Sequence, residues 1–370
     1  MLAAMSSLIE RLWGHRAPRL NLALQGGGAH GAFTWGVLDA LLEQAPFQLG
    51  AVSGASAGAM NAAVLAHGLL AAGNDGARAA LSAFWLGVAS RVPLDGWIVE
   101  KHDDPGGPAM APGLRALVQW TQLFAPTQFN PLDINPLREI LREQVDFERL
   151  RSSAALPLHI AATHANSGRL RVFSNEDLSI DALLASACIP HLHHPVVIDG
   201  EPYWDGAYAA NPVLSPLVFD PLAGDDTLLV LLMPNAWART PKSADEIRAR
   251  VAEVAFQSTF LREARWLSEA QRMACESPRW RRGRLERALV RQRWHTIDGG
   301  ETLAPLRGET RSIATTAFLE QLRDAGRAQA LRWLQAHAAD VGQRSSADLF
   351  ALYAAAPPTP PAPTLSPLAA

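Results

Sequence analysis

The chain has 370 residues, of which 48% are hydrophobic and 19% charged, with a formal net charge of -3. That length supports one large α/β domain or two modest ones, and the near-neutral balance excludes a global pull toward nucleic acid or acidic membrane. Two cysteines, Cys188 and Cys275, are too few for a disulfide framework or a zinc site of their own.

The first 18 residues carry Arg11, His15 and Arg16 and lack an apolar stretch of signal-peptide length. A short buried strand is predicted over Asn21 to Gln25, running into Gly26-Gly27-Gly28. A helix from Ala32 to Leu42 follows, with Phe33, Val37, Leu38, Leu41 and Leu42 on one stripe. Leu49 to Ser53 reads as a second strand that enters Gly54-Ala55-Ser56-Ala57-Gly58, and the helix through Met60, Val64 and Leu65 is expected to end near Gly68. Strand, glycine turn and helix, repeated, point to a parallel α/β sheet.

Residues 71 to 135 read as irregular, a stretch suited to covering a site. Pro136 to Arg151 is predicted helical. Strands over Leu158 to Ala162 and Leu170 to Phe173 flank the turn Asn166-Ser167-Gly168, and a helix over Ile180 to Ser186 stops before Pro190. Val196 to Ile198 and Pro202 to Trp204 form a predicted hairpin that delivers Asp205-Gly206, and Leu228 to Met233 is the last strong strand. Beyond Pro241 the chain reads as Arg- and Ala-rich helices over Asp245 to Ala274, Arg282 to Arg293 and Thr316 to Ala338. An Ala/Pro-rich tail follows from Ala354.

Three motifs carry chemistry. Gly-x-Ser-x-Gly between a strand and a helix suits a nucleophile elbow, with Ser56 exposed on a sharp turn and a helix N-terminus beside it; the plain reading is a tight turn with Ser56 as helix N-cap. Gly26-Gly27-Gly28-Ala29-His30-Gly31 also satisfies the dinucleotide pattern G-x-G-x-x-G. A nicotinamide fold, however, expects an acidic residue about 20 positions on, at the end of the second strand, where this chain has Val52-Ser53-Gly54. Successive glycines fit backbone N–H groups turned toward an oxyanion, or simply a flexible connection. Asp205-Gly206-Ala207, by itself an ordinary Asx turn, supplies a proton acceptor. Nucleophile, base and oxyanion site are the minimum set for acyl transfer.

In this order the motifs resemble the patatin-like phospholipases. Ala185 to Pro190 and Val197 to Gly206 look like the stretch that leads to that family's aspartate, and the resemblance covers about Leu20 to Leu232. It implies a three-layer α/β/α fold with a mainly parallel central sheet, plus C-terminal helices. It also implies hydrolysis of lipid acyl esters by a Ser-Asp dyad without metal or cofactor. Ser56 becomes the nucleophile, Asp205 the base, and Gly26, Gly27 and Gly28 the oxyanion hole; Gly54 and Gly58 shape the elbow, and His30, Gly31 and Gly206 line the site. Many relatives carry Arg or Lys where this chain has His30, and a neutral imidazole holds an anionic group less firmly. The expected division is an N-terminal segment 1–18, an acyl hydrolase domain 19–235, a helical Arg-rich region 236–353 and a disordered tail 354–370. The alternative is a catalytically silent lipid-binding or regulatory protein on the same fold.

A Ser-His-Asp triad of the α/β-hydrolase order needs a late histidine, and only His295 and His337 follow Asp205. His191, His193 and His194 have no carboxylate or cysteine at ligand spacing, so no metal site is expected. The segment Arg279 to Trp294, rich in Arg, suggests docking on an anionic lipid surface or, more plainly, a solvated helix face. The chain has no nucleic-acid reader motif and no run of the ~18 to 20 apolar residues that span a membrane. The expectation is therefore a cytoplasmic protein, in peripheral contact with membranes at most.

Overall fold

The computed structural model describes residues 17–91, 97–99, 104–121, 123–153, 156–234 and 240–354; the expected N-terminal segment, apart from its last two residues, and nearly all of the tail lie outside these. The strands are β1 (Arg19–Leu24), β2 (Gln48–Gly54), β3 (Ile98–Val99), β4 (Ala109–Met110), β5 (Leu158–His164), β6 (Leu170–Phe173), β7 (Val196–Ile198), β8 (Glu201–Asp205), β9 (Asp226–Leu231) and β10 (Arg293–Asp298). The longer helices are α1 (Gly31–Gln44), α2 (Ala57–Arg91), α3 (Pro112–Thr121), α4 (Pro136–Gln144), α5 (Phe147–Ser152), α6 (Ile180–Ser186), α7 (Ala244–Glu276), α8 (Arg284–Arg291) and α9 (Thr316–His337).

Eight strands form one sheet in the order β10-β9-β1-β2-β5-β8-β7, with β6 also on β5, while β3 and β4 pair separately. From β10 to β5 all neighbours are parallel; β6 and β8 run antiparallel to β5, and β7 antiparallel to β8. The alternation of strand side chains explains the layers. Leu20, Leu22 and Leu24 of β1 join one core with α1, α2 and α9, whereas Ala23 of β1 and Leu229 and Leu231 of β9 join a second core with α7 and α8. Helices on both faces make this the three-layer α/β/α arrangement.

Several expectations are corrected. The second helix does not end near Gly68: it runs to Arg91, broken by non-helical Ala72 and Gly73 (φ 64°). Gly68 lets the two arms approach, since a Cβ there would lie 2.4 Å from the Ala77 Cα. Residues 74–91 are thus helical rather than irregular. The helix expected over Pro136 to Arg151 is two helices, because Asp146 caps a new start by accepting from the Arg149 N–H at 3.0 Å. The Arg-rich stretch yields a short α8, and β10 emerges from it as a six-residue edge strand beside β9, so a further strand of the sheet follows Leu228 to Met233.

One register decides the site. Ile160 of β5 pairs with Phe173 of β6 and Gly54 of β2, and Ala162 pairs with Arg171 of β6 and Asp205 of β8. A strand has two edges, and β6 occupies one of them, so β2 and β8 must share the other. The end of β2 and the end of β8 therefore meet on the same edge of β5, two residues apart, about 7 Å.

Candidate active site

Where β2 leaves that edge, Ser56 turns the chain into α2 with a φ of 53°. This left-handed conformation is costly for a residue with a side chain and persists only where packing enforces it. The enforcement comes from two glycines. A Cβ on Gly58 would stand 2.1 Å from the Leu24 carbonyl oxygen, and one on Gly54 would stand 2.5 Å from the Gly58 carbonyl carbon. The helix therefore starts directly against the end of β1, and the Ser56 N–H is held by the Ser186 carbonyl at 3.1 Å.

Asp205, at the end of β8, is pinned through its backbone. Its N–H donates to the Cys188 carbonyl at 2.8 Å, and its carbonyl accepts from the Thr163 hydroxyl at 2.8 Å. The carboxylate is 1% exposed, accepts from the Ala207 N–H at 2.8 Å and has the Ser56 side chain beside it. Gly206 is packed so closely that a Cβ would meet the Ala161 carbonyl oxygen at 2.1 Å. Burial pushes the Asp205 carboxyl up from 3.8 to about 7, against the opposing pull of the Ala207 N–H and the nearby Ser56 side chain.

That shift has a stability consequence with a definite sign. The folded protein binds the Asp205 proton more tightly than the unfolded chain does, so stability from this group is full below about pH 4 and lost as pH rises through about 7. At roughly 1.4 kcal/mol per tenfold change in proton affinity, the loss is on the order of 4 kcal/mol. Asp205→Asn keeps an acceptor for Ala207 and removes the buried charge. It should melt above the parent protein at pH 8, with the gap closing toward pH 4 in a thermal-melt series; an equal gap at both pH values would contradict the burial argument.

The glycine loop lies against the elbow. A Cβ on Gly26 would be 2.6 Å from the Ala55 carbonyl oxygen and 2.8 Å from the Ser56 Cβ. The Gly26 N–H is already taken, donating to the Asn211 Oδ1 at 2.6 Å, and the Asn211 amide donates back to the Gly26 carbonyl at 3.3 Å. Among the described residues, the N–H groups of Gly27 and Gly28 have no partner. Gly28 has a φ of 61° and sits against the Arg311 carbonyl, 2.3 Å from where a Cβ would be, so any other residue there would displace the loop.

His30 and Gly31 support this loop. The Thr310 hydroxyl donates to the Arg307 carbonyl at 2.6 Å, so it accepts from His30 Nε2–H at 2.8 Å, which leaves Nδ1 unprotonated and, among the described residues, without a partner. Burial and the nearby Arg311 push the His30 imidazole down to about 3, keeping it neutral. Gly31 is where α1 touches α2: its carbonyl accepts from Asn61 at 3.0 Å, and Asn61 in turn accepts from the Trp85 indole at 3.0 Å.

The candidate triad histidines are elsewhere. His295 joins Asp226 (3.1 Å) and Ser346 (2.9 Å) at the starting ends of β9 and β10, opposite the end that carries Ser56. Although this trio has the residue types of a triad, Arg293 holds the Asp226 carboxylate, and the Ser346 and Ala347 N–H groups both donate to the Trp294 carbonyl. It is a clamp for residues 342–347 on the sheet edge. His337 pairs with Asp340. His194 bonds the Asn130 carbonyl at 2.8 Å and, with Cys188, lies on the Asp205 side of the site. The Cys188 thiol is pushed up to about 12 by burial. Among the described residues no group of three His, Cys, Asp or Glu side chains is placed to hold a metal ion.

A family model described as patatin-like phospholipase matches residues 22–218, just over half of the chain, from within β1 to beyond Asn211. The chain belongs to the patatin-like phospholipase family. Membership implies a hydrolase acting on lipid acyl groups. The solved structure of VipD from Legionella pneumophila is similar at 17% identity, covering 87% of this chain and 67% of that chain with a TM-score of 0.38. No curated protein matches. Among the described residues no helix is long and apolar enough to cross a membrane. Asn211 and Ser186, which belong to none of the three motifs, fix the glycine loop and the elbow. Asn211 stands six residues after Asp205, and that proximity was the only signal available for it.

Proposed function

We propose that this patatin-like protein hydrolyses lipid acyl esters through a Ser56-Asp205 dyad. The Ser56 oxygen attacks the ester carbonyl while Asp205 takes the hydroxyl proton, and the N–H groups of Gly27 and Gly28 receive the negative charge that develops on the carbonyl oxygen. Gly26, bound to Asn211, positions the loop rather than donating. Asp205 then passes the proton to the leaving alcohol, and Ser56 keeps the acyl group. Water attacks the acyl-enzyme, Asp205 accepts its proton, and the fatty acid leaves as the Ser56 hydroxyl is restored.

The observation that carries this reading is the register that brings Ser56, strained at the elbow, beside a carboxylate removed from water. A carboxylate in solution is a feeble base for a serine hydroxyl, but one whose proton affinity is raised to near neutrality is matched to its task. A fluorophosphonate probe should label Ser56 selectively, as read by peptide mass spectrometry, and labelling should vanish in Ser56→Ala. Unlabelled Ser56 in folded protein would favour the silent lipid-binding alternative.

A further inference from the structure

The surface beside the site is unusually apolar. Leu117 and Trp120, one turn apart on α3, are both exposed, and the Phe124 ring packs on Trp120 with centroids 4.6 Å apart. Leu123 and Leu132 are 78% and 79% exposed, and Ile134 is exposed as well. Side chains of this size standing in water cost free energy unless something covers them.

This face is tied to both flanks of the site. On one flank, Arg115 of α3 donates to Glu309 at 2.7 and 2.9 Å; the next two residues, Thr310 and Arg311, are those that brace His30 and Gly28. On the other, the Asn130 carbonyl binds His194, the His194 carbonyl accepts from the Cys188 thiol, and the Cys188 carbonyl accepts from the Asp205 N–H. The segment that carries the apolar side chains is thereby tied at one end to the oxyanion loop and at the other to the base.

We propose that this face, built from Leu117, Trp120, Leu123, Phe124, Leu132 and Ile134, docks on the surface of a zwitterionic lipid bilayer and delivers its lipids to Ser56. The proposal rests on the function proposed above. Charge selects the occupant. Between 112 and 134 the formal charges are Arg115, paired with Glu309, and Asp133. Such a face has no attraction for anionic headgroups, while Trp at headgroup depth and Leu below it favour the bilayer interface. The Arg-rich stretch is excluded from this task by position. Arg293 pairs with Asp226 and Arg291 lies beside Asp225, at the starting ends of the strands, opposite the end where Ser56 stands.

The test uses full-length protein carrying Ser56→Ala, so that vesicles stay intact, and phosphatidylcholine vesicles in a sedimentation assay. Adding Leu117→Ser, Leu123→Ser and Leu132→Ser together should lower the partition coefficient at least about tenfold, and high salt should leave binding unchanged. With Ser56 present, the triple variant should lose hydrolysis of vesicle lipid in parallel, yet turn over a soluble short-chain ester as the parent does, with the same melting temperature. Unchanged partition in the triple variant, or binding that needs anionic lipid and disappears in salt, would overturn the docking face. Failure of the unsubstituted enzyme on both soluble and vesicle esters would instead sink the dyad, while the Ser56→Ala partition measurement would still decide the docking.

Discussion

Asp205→Asn is expected to lower kcat/KM on a soluble ester by roughly three to four orders of magnitude, and Ser56→Ala by at least as much. The asparagine keeps the shape of the site and the bond from the Ala207 N–H, so the loss isolates proton transfer. Because the two residues act on one proton, their effects are not additive: the double variant should be no slower than Ser56→Ala alone. The same substitution that removes activity should stabilise the fold at neutral pH, since a buried charge is removed. Loss of function with gain of stability in one variant is hard to explain by misfolding.

The second large effect is expected at Gly26. A methyl group there meets the Ala55 carbonyl oxygen at 2.6 Å and the Ser56 Cβ at 2.8 Å, both well inside contact distance. Neither is the tip of a flexible side chain, so the glycine loop and the elbow must move apart. Catalysis that depends on donors within hydrogen-bond reach of the oxyanion is sensitive to shifts of this size, and displacing one donor costs about two to three orders of magnitude. Gly26→Ala should therefore lower kcat by roughly a hundredfold or more in steady-state assays of folded protein. The effect on KM should be smaller, because the donors act on the transition state. An unaltered kcat would place the oxyanion site away from this loop.

Much of this was legible in the sequence because the chemistry sits at strand ends, where local pattern is strong. The apolar runs before Gly26 and Gly54 are strands buried on both faces, and the turn Asp199-Gly200, with φ of 53° and 82°, closes the hairpin ahead of Asp205 as those residue types suggest. Other features depend on contacts that no window reveals. β10 hides among arginines, since its partners Arg293 to Asp226 and His295 to Asp226 lie 67 and 69 residues apart. Gly68 reads as a helix stop, whereas in the fold it permits close approach within a broken helix. The Gly26 N–H looks available until Asn211, 185 residues away, occupies it. Above all, the meeting of Ser56 and Asp205 follows from β2 and β8 sharing one edge of β5, a matter of register rather than composition.

The pH dependence of kcat/KM on a soluble ester, measured in the unsubstituted enzyme and in Asp205→Asn, bears most directly on whether a carboxylate alone serves as the base. Activity should rise through a single ionisation near 7 as Asp205 loses its proton, then level off, while the residual rate of Asp205→Asn stays flat across the same range. The same rise surviving in Asp205→Asn would mean that another group removes the serine proton.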